Sequence, residues 1–123
     1  MSASGDLKKL IESYNYKFVD DIYTVKIPDE EISTIDKTDV LITEAIMENN
    51  DYANNTFNSI IQTLEVQVFY SLYAEFDTEE FEIDLMKRLE KDNWLAVRTD
   101  PHIIDPDTNQ IVKLFYFERV KYL

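Results

Sequence analysis

Cysteine is absent from the 123 residues, and glycine and histidine occur once each, as Gly5 and His102. Without cysteine there can be no disulfide, thiolate zinc site or thiol nucleophile. A single histidine excludes a two-histidine metal site supplied by one chain. The lone glycine precedes the first helical pattern, so no glycine-rich loop lets backbone approach a phosphate, and P-loop and dinucleotide fingerprints are missing. No apolar run approaches the ~20 residues of a membrane helix, and MSASGDLKK lacks the apolar core of a secretory signal. The resulting expectation is a non-enzymatic protein, made in the cytoplasm, with no cofactor, no metal and no membrane partner.

Basic residues are also scarce: 12 stand against 25 acids, a net charge of −13. A duplex carries a negative charge about every 1.7 Å, which argues against tight or sequence-specific nucleic-acid binding. Apolar residues are plentiful by contrast, at 45% with 13% aromatic, which excludes general disorder. The length predicts one domain over residues 1–123, burying about two-thirds of its unfolded surface.

Leu7, Leu10, Ile11, Tyr14 and Phe18 recur at helical spacing, with Asp6 as a candidate cap. DIYTVKIP predicts a strand over 21–27 that ends at Pro28, and VLITEAI predicts a second. MENNDYANNTFN holds five asparagines in twelve residues and reads as a mobile loop or the tip of a long hairpin. IIQTLEVQVFYSLYAEF alternates, with Leu64, Val66, Val68, Tyr70 and Leu72 on one face. DTEEFEIDLMKRLEKDNW predicts a second helix, capped by Asp77, fronted by acids, and ended by an asparagine able to turn left-handed at Asn93. LAVRT and QIVKLFYFERV close the chain as strands. The predicted fold is α+β: a mostly antiparallel sheet of about five strands with both helices on one face.

Asp105, Asp107 and Asn109 open like a calcium loop, but the sixth and twelfth positions hold Gln110 and Tyr116. A calcium loop needs glycine and a bidentate glutamate there, so the segment reads as a hairpin turn. His102 has no serine in a strained elbow to serve and reads as a loop or edge histidine. The carboxylates Glu79, Glu80 and Glu82 read as a solvated helix start. In VKLFYF, apolar groups occupy both faces: Val112, Leu114 and Tyr116 on one, Ile111, Phe115 and Phe117 on the other. One face of a two-layer domain is normally wet, so a surplus apolar face predicts association between copies. The candidate interface residues are Phe69, Tyr73, Ile111, Phe115 and Phe117, with Asn49, Asn50, Tyr52, Asn54 and Asn55 from the asparagine-rich segment.

The segments QVFY, the acidic-fronted helix ending near Trp94, and DPDTNQ before an aromatic strand resemble a small protein of the morphogenesis module of siphophages infecting Gram-positive bacteria. Such proteins often carry only the label of a domain of unknown function. The element order is similar to that of phage tail terminator and tail completion (head–tail joining) proteins. The resemblance covers about residues 60–120 and implies a structural virion protein with no catalytic residue. It would form a homo-oligomeric ring, commonly a hexamer, at the head-proximal end of the tail. Its partners would be the tail tube protein and a head-completion or connector protein, met in the host cytoplasm during assembly. An acidic lumen would let DNA pass without being held. The alternative from the residues alone is an acidic monomeric binding module that mimics DNA or blocks a host factor.

Overall fold

Ser2 decides where the chain turns helical: its hydroxyl accepts the Gly5 N–H and caps α1, Ala3–Tyr14. A computed structural model describes residues 2–31, 35–53 and 56–123. The cap lies four residues earlier than Asp6, which instead sits in the first turn, favourable beside the helix dipole. Asn15 ends α1 in the left-handed region at φ 55°, so Phe18 falls beyond the helix. It still joins the core, stacked on Phe76 at a centroid distance of 4.0 Å.

The chain continues through β1 (Asp21–Thr24), β2 (Asp39–Ala53), β3 (Thr56–Phe69), α2 (Thr78–Lys91), β4 (Leu95–Thr99), β5 (Ile103–Ile104) and β6 (Ile111–Tyr122). β1 stops three residues short of the predicted end, because Val25 takes φ 77°, a conformation that costs a β-branched residue. Six strands form one sheet in the order β1-β2-β3-β6-β4, with β5 also on β6. Among the described residues only the β1–β2 pair is parallel. This is the expected α+β architecture, with one strand more than anticipated.

Both helices cover the same face. Leu7 and Ile11 of α1 and Phe81, Leu85 and Leu89 of α2 pack with Val40, Ile42, Leu64, Val66, Val68, Phe115 and Phe117 in one core. Asp77 caps α2 by accepting the Glu80 N–H, and Asn93 follows at φ 71°, both as the spacing predicts. Trp94 is 1% exposed, with the Arg119 guanidinium over its ring.

The asparagine-rich segment is not a free loop. β2 and β3 pair from Asp39↔Phe69 out to Ala53↔Thr56, with a bulge near Ala45. Strands of 15 and 14 residues exceed the usual length, and Ala3, at the start of α1, lines a pocket with residues 44–47. Beyond that, β2, β3 and the end of β6 project as an arm. The segment DPDTNQ is a turn, as expected: the Asp105 carboxylate accepts the Asp107 N–H, and Asn109 takes φ 65°.

Candidate functional site

Two parts of the molecule go beyond what folding requires: a buried polar cluster and a set of uncovered apolar rows. The cluster is built on Glu82, one of the acids at the front of α2. A helix that buries Phe81, Leu85 and Leu89 also turns Glu82 toward the sheet, leaving it 5% exposed. Its Oε2 accepts the Tyr70 hydroxyl at 2.5 Å and lies 2.7 Å from His102 Nε2. Three distant pieces, the end of β3, the first turns of α2 and the segment before β5, are thereby tied at one carboxylate. Among the described residues no serine hydroxyl bonds the His102 ring, and no group of three acidic or histidine side chains could hold a metal. The arrangement is a clip, with the phenol and imidazole donating and the carboxylate accepting.

Burial, the bond to Glu82 and that residue's negative charge together push the Tyr70 hydroxyl well above the ordinary phenol range. Its ionisation is therefore suppressed in the fold but not in the unfolded chain. A group with a raised folded pKa contributes stability that is complete below its unfolded value and lost as pH rises. Above about pH 10 the loss for one such group is about 1.4 kcal/mol per pH unit. Tyr70→Phe should reduce the loss of stability between pH 9 and 11 by about 1.4 kcal/mol in total. An unchanged slope would show that the clip does not hold Tyr70 neutral.

The apolar rows are read from the register. Leu64↔Phe117 and Val66↔Phe115 define the helix-covered face, so Thr63↔Glu118, Ile61↔Val120 and Ser59↔Tyr122 lie on the other. The β2 register adds Ile46 and Tyr52 to that open face of the arm. Ile46, Tyr52, Val120 and Tyr122 are all exposed there. A second row follows the β6 flank that carries β4 and β5: Leu95, Val97, Ile103, Ile104 and Ile111, each between 47% and 67% exposed. Monomeric proteins rarely leave this many large apolar side chains uncovered on strands with a free edge.

The predicted interface residues separate accordingly. Phe115 and Phe117 are 0% exposed and stacked on one another in the protein's own core, which corrects their assignment to a contact surface. They share the face of β6 that both helices cover, so the surplus does not lie with them. Ile111, on the same strand but past the helices, is 47% exposed, as are Tyr73 (68%) and Tyr52 (66%) more fully. Phe69 is half-buried, and Asn49 and Asn50 are exposed on β2. Asn54 and Asn55 lie outside the described residues. The candidates do not converge: Phe69, Tyr73 and Ile111 stand at one end of β3, and Asn49, Asn50 and Tyr52 toward the other, about 30–40 Å away along the strand. Sequence reading missed Glu82 and the row Leu95, Val97, Ile103 and Ile104. The alternation in LAVRT and the paired isoleucines in a polar connection were the available signals.

No helix among the described residues is long and apolar enough to cross a membrane. A family model described as "Protein of unknown function (DUF806)" matches residues 3–121, nearly the whole chain. None of the curated proteins matches.

Proposed function

We propose, from the premise that the chain belongs to the DUF806 family of proteins of unknown function, that it is a ring-forming structural subunit of a siphophage. In this reading the ring caps the tail tube, stops its growth and offers the surface on which the head docks. The observation that carries the reading is the pair of uncovered apolar rows, on the arm and on the β4–β5 flank, in a chain with a net charge of −13. Such a chain is kept soluble by its charge yet retains apolar area suited to a fixed neighbour. The partners follow from the resemblance of the later half: further copies of this chain, a tail tube protein, and a head-completion or connector protein.

The arm suits a capping subunit physically. Three strands share its backbone hydrogen bonds, so it can project without helices beneath it. Exposed Ile46, Tyr52 and Tyr122 could then bury area against the tube or a neighbour at ~25 cal/mol per Å². An acidic inner wall would repel DNA phosphates and leave the genome free to slide.

The test is direct. Light scattering of the purified protein, alone and with isolated tail tubes, should reveal a ring in at least one condition. Phage lacking the gene should grow tails of uncontrolled length. Monomers under both conditions, with tails of normal length, would reject the proposal. Capture of a host nuclease or polymerase subunit in place of tail tube would point to an acidic mimic instead.

A further inference from the structure

The sheet has two unlike ends. Among the described residues β1 and β4 each have one strand neighbour, and they close opposite edges of the order β1-β2-β3-β6-β4. β1 runs parallel to β2, while β3 is antiparallel to β2, β6 to β3, and β4 to β6. Following these steps, β4 points opposite to β1. Two copies placed side by side in the same orientation therefore bring β4 of one beside β1 of the next as an antiparallel pair.

Each edge fits the other in further respects. The strands match in length, with five residues in β4 and four in β1. Every residue of β4 is exposed, and Leu95 and Val97 are each 51% so. Along β1 runs an open groove of about 470 Å³ between that strand and α1, lined by Ile11, Tyr16, Val19 and Ile22 among others.

Charge is complementary too. The register places Arg98 opposite Tyr116 and Asp21 opposite Asp39, which in turn faces Phe69, so both stand on the sheet face away from the helices. Asp20 and Glu12 add further negative charge along the groove, with Lys8 the one base in its lining. Arg98 already bonds Asp100 at 2.8 Å, and Asp21 stands 3.6 Å from Lys37, so the junction would join two existing ion pairs.

We infer that copies of this chain assemble head to tail, with β4 of one subunit adding as an antiparallel strand to β1 of the next. The inference rests on the ring-forming reading and names its interface. Two different surfaces meet at each junction, so the assembly is heterologous, and rotation at the junction decides between a closed ring and an open filament. The bulge between Ala96 and Arg98 bends β4 relative to β6 and supplies local rotation.

Because the natural chain has no cysteine, the junction can be read by thiol chemistry without background. The protein carrying both Tyr23→Cys and Val97→Cys, treated with a short bis-maleimide, should give a covalent ladder that ends at the ring order. Each single variant should give none. An assembly seen by native mass spectrometry without a ladder would overturn this junction and leave the ring reading standing. Monomers only, with and without tail tubes, would overturn both. A charge exchange guards against damage by the cysteines: Arg98→Glu should reduce the assembled fraction at least tenfold, and adding Asp21→Arg should restore it. Unchanged assembly in Arg98→Glu, together with no ladder, would also overturn the junction.

Discussion

Phe117→Ala should lower stability by about 3–5 kcal/mol, the usual cost of a large cavity in a packed core. That corresponds to a fall of about 10–20 °C in melting temperature for a chain of this size, from a total stability of about 5–15 kcal/mol. The reason is position. Phe117 is 0% exposed, opposite Leu64 across the sheet and stacked on Phe115 at a centroid distance of 5.6 Å. Ile111→Ser, six residues earlier on the same strand, should change monomer stability by no more than about 0.5 kcal/mol, because that side chain is 47% exposed. Its effect should appear in assembly. Melting and light scattering on the two variants separate core from contact surface. A mild Phe117→Ala beside a destabilising Ile111→Ser would invert the assignment.

Removing the Glu82 carboxylate is the second large effect. Glu82→Ala leaves the buried Tyr70 hydroxyl without its acceptor, which costs about 1–3 kcal/mol, and opens space where the side chain stood. We expect about 2–4 kcal/mol in all. Glu82→Gln keeps an acceptor for the phenol and should cost about half as much. His102→Ala should cost less than about 1 kcal/mol, since exposed pairs contribute little and the imidazole is 43% exposed. The decisive comparison is the double variant Tyr70→Phe with Glu82→Leu, which removes donor and acceptor together. It should be less destabilised than the sum of its parts by about 1–2 kcal/mol, measured by denaturant unfolding. Simple additivity would mean that the 2.5 Å bond is not energetically coupled.

Much of the fold is legible because its signals are local. The Asp77 cap, the left-handed asparagine at Asn93 and the Asp105–Asn109 turn each depend on residues only a few positions apart. The alternation of Leu64, Val66 and Val68 likewise needs nothing distant to mark a buried strand face. Errors arose where a distant partner decides. Asp6 looked like a cap, yet Ser2 caps α1 and Asp6 reaches Arg119 across the sequence at 2.9 Å. The asparagine-rich segment read either as a loop, since asparagine favours turns, or as the tip of a long hairpin, and it took the pairing of β2 with β3, backed by β6, to select the hairpin. Glu82 looked like one more acid on a wet helix face, and only Tyr70 and His102 make its burial tolerable.

From the residues alone came the helices, five of the six strands, the turn before β6, the acidic composition and an excess of apolar side chains. Which of those side chains are covered was settled only in three dimensions. On β6, the periodic pattern is the same for Ile111 as for Phe115 and Phe117, but the helices end their cover between them. Burial is a property of what the rest of the chain places overhead. No spacing within a single strand can report it.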